Sequence, residues 1–210
     1  MVELGETAEF KNGINYTQES KGQLVKVLGV RNFKSNLFAP IENFDLIQID
    51  SELPEAYHLK QNDIVFVRSN GNPDLVGRSV IIPDINFRAT SSGFTIRLRF
   101  TSNVVIPLFY AYLFKSDYLK NKIIESGTGA NIKSINQPSL KALKIPLPSM
   151  EVQSSLVLQI QQEEQLVNAN KQLIKIYEQK IKEEINRLWQ PGKKEKVYEM
   201  DDEVSMVTEA

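Results

Sequence analysis

From Glu151 to Trp189 the sequence contains neither glycine nor proline, and apolar residues recur at helical steps: Leu156, Ile160, Val167, Ile174, Tyr177, Ile181, Ile185 and Leu188. That spacing predicts one helix with a single apolar face, stopped by Pro191-Gly192. At about 1.5 Å per residue it reaches roughly 58 Å. A globular domain built from the rest of the chain has a diameter nearer about 30–40 Å, so the helix overhangs it. Laid on a heptad, Ile160, Val167, Ile174, Ile181 and Leu188 form a wholly apolar row, whereas the row three residues on reads Glu163, Asn170, Tyr177 and Glu184. Leu166 and Leu173 broaden the stripe. A long helix lying on its own domain is the plainer reading, and the overhang weighs against it. The pattern suits antiparallel or bundle-like pairing with another long helix, in which Asn170 selects register at some cost in stability. No second long helix is present in the sequence. The partner is expected to be another chain or a second copy of this one.

With 210 residues, 41% hydrophobic and 24% charged, the chain can bury one substantial core plus an appendage. No window approaches the uninterrupted apolar run of a membrane span, and no basic-then-apolar signal opens the sequence. The absence of cysteine removes disulfide and thiolate chemistry and fits a cytoplasmic protein. One histidine, His58, leaves little scope for a zinc site or a histidine-based triad, and it reads as a surface or loop residue. Net charge is −1, but residues 1–150 are mildly basic and the tail beyond Pro191 is acidic, with Asp201-Asp202-Glu203 in a row. Local basic patches of this kind are compatible with nucleic-acid binding.

The pattern along the chain predicts a mixed α/β (α+β) fold in three parts: a globular domain over residues 1–148, a spacer or pairing helix over 149–190, and a disordered acidic tail over 191–210. Strands are expected at Gln23–Val30, Phe44–Ile49, Ile64–Val67, Ser79–Ile82 and Phe94–Phe100, the last alternating so that Arg97 and Arg99 face water. Helices are expected at Pro107–Ser116 and Tyr118–Glu125, with Pro107 in a first turn, and a helical turn at Pro138–Leu143. Between the strands lie polar loops rich in turn formers, most distinctively Arg68-Ser69-Asn70-Gly71-Asn72-Pro73-Asp74-Leu75-Val76-Gly77-Arg78.

Motifs for catalysis are missing. Gly127-Thr128-Gly129 lacks the Gly-Lys-Ser/Thr of a Walker loop and is too short for a dinucleotide fingerprint. Asn72-Pro73-Asp74-Leu75 shares only two residues with an amino-methyltransferase tetrad. Pro73-Asp74 and Pro83-Asp84 lack the nearby acid-x-Lys of a nuclease and read as turns. No catalytic or metal-binding residue is expected on this polypeptide.

The loops do hold the residue types that read a duplex. Base edges are read by Arg to guanine and by Asn or Gln to adenine, while phosphates take Lys, Arg, Ser, Thr and backbone N–H groups. Any single polar loop can simply be solvated; together, on one side of a mixed sheet, they make a concave DNA face. Lys11, Arg31, Lys34, Arg68, Arg78 and Lys133 are the candidates for phosphate or guanine, and Asn12, Asn32, Asn70, Asn72 and Asn131 for base edges or backbone. Tyr16, Ser69, Ser91, Ser92 and Thr128 complete the set.

Taken in order, several segments resemble the target-recognition domain of type I restriction–modification specificity subunits. These are Leu4-Gly5-Glu6 before Phe10-Lys11-Asn12-Gly13 and Tyr16, Asp63-Ile64-Val65-Phe66-Val67-Arg68 before Gly77-Arg78, Ser126-Gly127-Thr128 before Ile135, Leu140 and Leu143, and Ile145-Pro146-Leu147-Pro148 before Glu151 and the long helix. The resemblance covers roughly residues 3–190. It implies a domain that reads half of a split double-stranded DNA site, and a helix that spaces two such domains and docks adenine methyltransferase subunits, with a restriction subunit in the larger complex. S-adenosylmethionine, ATP and Mg²⁺ would then belong to those partners, leaving no cofactor on this chain. Two departures stand out. A full specificity subunit carries two recognition domains and two long helices, and the usual Pro-Pro-x-x-Glu-Gln is here Pro148-Ser149-Met150-Glu151-Val152-Gln153, with the Gln displaced by one. The chain therefore resembles either a half-subunit that forms a homodimer through Leu156 to Leu188 or the recognition part of a fused enzyme. The rival reading is a protein–protein adaptor that uses the helix without DNA readout.

Overall fold

The computed structural model describes residues 1–17, 22–50, 52–126 and 134–189. By compactness the chain divides into Met1–Gln159 and Ile160–Ala210. Among the described residues the first unit holds nine strands: β1 (Val2–Glu3), β2 (Ala8–Asn12), β3 (Gln23–Leu28), β4 (Asp45–Ile49), β5 (Ile64–Val67), β6 (Ser79–Ile81), β7 (Ala89–Ser91), β8 (Thr95–Phe100) and β9 (Lys144–Ile145). Helices α1 (Pro107–Leu113), α2 (Asp117–Glu125) and α3 (Gln137–Lys141) follow β8, and α4 runs from Met150 to Trp189. The expected tail over 191–210 and the segment 127–133, with Gly127-Thr128-Gly129, lie outside the described residues.

The central sheet is four-stranded and antiparallel throughout, in the order β2-β8-β5-β6. A second sheet, β4-β3-β7, pairs β3 antiparallel to β4 and parallel to β7. Strand β5 explains the arrangement. Its four residues are all buried. Ile64 and Phe66 join a cluster with Phe109, Tyr110 and Phe114 of α1 and its end, Leu119 and Ile123 of α2, and Val157 of α4. Val65 and Val67 face the other way, into a cluster with Leu28, Phe33, Phe44 and Leu59. A strand covered on both faces has no polar side, so the run Ile-Val-Phe-Val is uninterrupted. The Phe66 and Phe114 rings meet edge-on, with centroids 5.0 Å apart.

Strand β8 departs from the sequence reading. Its alternation was expected to put Arg97 and Arg99 in water, yet Arg97 is 5% exposed. The turn at Glu55–Tyr57 and His58 covers that face. One Arg97 guanidinium nitrogen donates to the Ala56 carbonyl at 3.0 Å and another to Glu9 Oε1 at 2.9 Å. Arg99 donates Nε and Nη2 to the two oxygens of Asp63, each at 2.7 Å, and Nη2 also reaches the His58 carbonyl at 3.0 Å. His58 is correspondingly enclosed, its side chain 12% exposed, with Nδ1 2.9 Å from Glu55 Oε2. Alternation identifies a strand with one polar face; it does not say whether other protein covers that face.

Helix α4 matches the expected span. Its first turns belong to the compact unit: Val157 enters the core and Gln153 is fully buried. Gln153 Nε2 donates to the carbonyls of Val104 and Pro148, both at 2.9 Å, while its Oε1 accepts the Ile106 N–H at 2.8 Å. Tyr110 donates its hydroxyl to the Pro146 carbonyl at 2.8 Å, fixing the segment before the helix. Among the described residues no helix is long and apolar enough to cross a membrane.

Candidate nucleic-acid interface

Four loops that the sequence scatters are tied together by their backbones. After β2, Gly13 N–H donates to the Thr95 carbonyl at 3.2 Å and Ile14 N–H to the Ser91 carbonyl at 2.9 Å. Gly93 N–H returns a bond to the Ile14 carbonyl at 2.6 Å. Arg68 N–H, just past β5, donates to the Phe94 carbonyl at 2.8 Å, and the Arg68 carbonyl accepts Ile135 N–H at 2.9 Å. The approach is close enough to require glycine at position 13, where a Cβ would lie 2.2 Å from the carbonyl oxygens of Ser91 and Ser92.

The result is a depression lined by Asn12, Arg68, Ser69, Ser134, Asn136 and Gln137. Gln137 Nε2 donates to Asn12 Oδ1 at 3.0 Å. Both are amides, the side-chain type that reads an adenine edge. Gln137 and Asn136 were not among the expected contacts. Their signal was present as Asn136-Gln137-Pro138, an N-cap followed by Pro in the first turn, and Asn136 Oδ1 does accept Ser139 N–H at 2.8 Å.

A second cluster surrounds the loop after β3. Arg31 is exposed and paired with Asp45, and Lys34 and Asn36 border a depression with Glu42 and Asn43. Half-buried Arg78 ties this loop to its own: Nε donates to the Asp74 carbonyl at 3.0 Å and Nη1 to the Phe33 carbonyl at 3.4 Å. Lys115 joins it, with Nζ donating to the carbonyls of Asn36 and Ser79, both at 2.6 Å. Burial among carbonyls, with Arg78 and Lys120 nearby, lowers the Lys115 pKa to about 8. The Arg68–Arg78 loop therefore borders both clusters.

The other expected contacts divide by their placement. Asn70 and Asn72 shape the loop: Asn70 Oδ1 accepts Asn72 N–H at 2.8 Å, and Asn72 Oδ1 caps the following turn through Asp74 N–H at 3.0 Å. Lys11 Nζ sits 4.2 Å above the Tyr57 ring, beside a cleft bordered by Tyr16, Asp50 and Glu52. Three residues are corrected. Asn32 is 4% exposed, its Oδ1 accepting Gly29 N–H at 3.0 Å and its Nδ2 donating to the Asn43 carbonyl at 2.8 Å, so it is a core bracket. Ser91 and Ser92 were read as a loop; Ser91 ends β7 in parallel pairing with β3, Ser92 bridges Ile14, and both are buried. Thr128, Asn131 and Lys133 lie outside the described residues.

Three sheets, helices packed against one face of the central one, knitted polar loops and one long helix make up the described residues, and the comparisons identify the family. The family model described as the type I restriction modification DNA specificity domain matches residues 1–187, and the chain belongs to that family. It is similar to the type I restriction enzyme StySPI specificity subunit of Salmonella potsdam, with 31% identity over 158 residues, covering 72% of this chain and 33% of that protein. The chain thus spans about a third of the length of this curated relative. Among solved structures, it resembles the HsdS subunit from Thermoanaerobacter tengcongensis with a TM-score of 0.58 and 20% identity, covering 82% of this chain and 38% of the other. It also resembles a chain from a structure of complex assembly and conformational transition in the type I R-M system, with a TM-score of 0.60 and 18% identity, covering 89% and 42%. At these identities the structural likeness is one of fold.

Proposed function

We propose that this chain is a DNA-reading module of a type I restriction–modification system that carries no catalytic residue or cofactor of its own. It recognises one half of a split double-stranded target in the cytoplasm and directs an adenine-N6 methyltransferase, and with it a restriction subunit, to that sequence. S-adenosylmethionine, ATP and Mg²⁺ are assigned to those partners. The observation that supports this reading is the convergence of Asn12, Arg68, Ser69 and Gln137 in one depression of a domain that belongs to the specificity family. Leu156, Ile160, Val167, Asn170, Ile174, Tyr177, Ile181 and Leu188 are assigned to pairing with a second copy of the chain.

The test is methylation of random-sequence duplex DNA by this chain mixed with its cognate methyltransferase subunits, followed by mapping of the methylated adenines. A single recurrent sequence is the expected result. Arg68→Ala should reduce binding to that sequence by about 1–3 kcal/mol while changing non-specific, salt-sensitive binding less. An equal loss on both would move Arg68 to a backbone role. If the chain brings no sequence preference and shows no salt-dependent retention on duplex DNA, the adaptor reading replaces this one.

A further inference from the structure

We infer that Phe94 reads thymine, by placing its ring against the C5 methyl group exposed in the major groove. Of the ten phenylalanines in the chain, Phe94 is the most exposed, at 60%. Exposure of one apolar residue decides nothing by itself, since much of any protein surface is apolar. Its setting is more informative. The backbone that carries the ring is fixed on three sides: Gly93 N–H to the Ile14 carbonyl at 2.6 Å, Thr95 N–H to the Ser92 carbonyl at 2.9 Å, and the Phe94 carbonyl accepting Arg68 N–H at 2.8 Å and Ser69 N–H at 3.4 Å. The residue before it is packed closely as well: a Cβ at position 93 would lie 3.3 Å from the Ile14 carbonyl oxygen and would displace the Asn15 side chain. A large apolar side chain is thus held out in water by a backbone that cannot fold it away. That is preorganisation for a contact the isolated chain does not make.

The neighbours indicate what the contact is. Phe94 shares its main-chain bonds with Arg68 and Ser69, which line the depression with Asn12 and Gln137. These are groups suited to base edges in the major groove, where guanine offers two acceptors and adenine a donor and an acceptor. Of the four bases of unmodified DNA, only thymine places an apolar group there. A phenyl ring carried on backbone bonded to Arg68 and Ser69 adds the one contact that the amides and guanidinium of the depression lack. Wedging between base pairs is the other use of an exposed ring on DNA, and it is an outcome of the test below.

This inference rests on the DNA-reading function proposed above, and the experiment separates the two. With the target known from methylation mapping by the chain and its cognate methyltransferase, each thymine in the half-site is replaced in turn by deoxyuridine, which removes only the methyl group. One replacement should slow wild-type methylation about fourfold under subsaturating conditions, as expected for withdrawing one methyl from a buried contact. Phe94→Ala should methylate the thymine and uracil duplexes at the same rate, keep its preference at the other positions, and melt at the wild-type temperature; Phe94→Leu should retain part of the discrimination. The assignment is overturned if no replacement matters to the wild type, if Phe94→Ala still distinguishes thymine from uracil, if it weakens binding without that distinction, as a wedge would, or if it melts lower. Failure of the wild type to select any target sinks the DNA-reading function itself.

Discussion

Arg99 and Lys115 are both cations drawn partly out of water, and their surroundings push them in opposite directions. Asp63 grips Arg99 through two short bonds, and that hydrogen bonding holds its pKa above the usual guanidinium value. Arg97, next to it on the same face of β8 but held chiefly by a backbone carbonyl and a half-exposed Glu9, is pushed down by burial. Lys115 meets only carbonyls, and desolvation lowers it from 10.5 to about 8. Between those two values the unfolded chain binds more protons than the folded one, so this group makes stability rise with pH across that window. Its contribution is complete above the unfolded value and lost as pH falls through about 8. Melting temperatures of the wild type and Lys115→Met, compared from pH 7 to 10.5, should show a component that rises with pH in the wild type alone; parallel curves would mean that the amine is solvated. At this scale the sequence was a partial guide. Arg68 and Ser69 could be picked as surface residues because turn-forming neighbours kept them out of strands, and Asn12 because Gly13 marks the end of β2 just after it. Asn32, Ser91, Ser92 and the two β8 arginines misled because the protein that covers them comes from elsewhere: Asn43, β3, Ile14 and the turn around Ala56.

Elements whose signal is local were legible. Ile64–Val67 was read to the residue because Asp63 and Arg68 bracket an apolar run, and Pro107 marked the start of α1. Ala89–Ser91 was not, because Thr90 is the one residue of the three with strand preference and the segment pairs in parallel with distant β3. The start of α4 is another case. Apolar periodicity found the helix but not what anchors it, since Gln153 lies on the same heptad row as Ile160 and looks like a polar interruption. It is instead the group that satisfies Val104, Ile106 and Pro148 at once. Leaving a buried polar group without its partner costs about 1–3 kcal/mol, and here several lose theirs together. Gln153→Ala should therefore destabilise the globular unit by at least about 2 kcal/mol in urea unfolding. A change within about 0.5 kcal/mol, typical of surface substitutions, would remove the anchoring role.

For the molecule as a whole, the main uncompensated term is the stripe on α4. Val167, Ile174, Tyr177, Ile181 and Leu188 are each at least half exposed, along a helix of 40 residues that spans about 60 Å. Continuous apolar surface on that scale marks an association site. Sedimentation of the purified chain should give a dimer, and Ile174→Glu combined with Ile181→Glu should give a monomer whose globular unit melts unchanged. A wild type that stays monomeric at all concentrations would rule out self-pairing. The heptad row gave this much from the sequence; which loops share a face did not follow from it, because that depends on bonds between residues up to 125 positions apart, as in Asn12 and Gln137. Most of those ties have a further property. The links joining Ile14 to Ser91 and Gly93, Arg68 to Phe94, and Ile135 to Arg68 are all made by main-chain atoms. Such a frame is indifferent to the identity of most side chains mounted on it. With Gly13 kept, the tips can be exchanged, and the specificity proposed above changed with them, without asking the polypeptide to find a new shape.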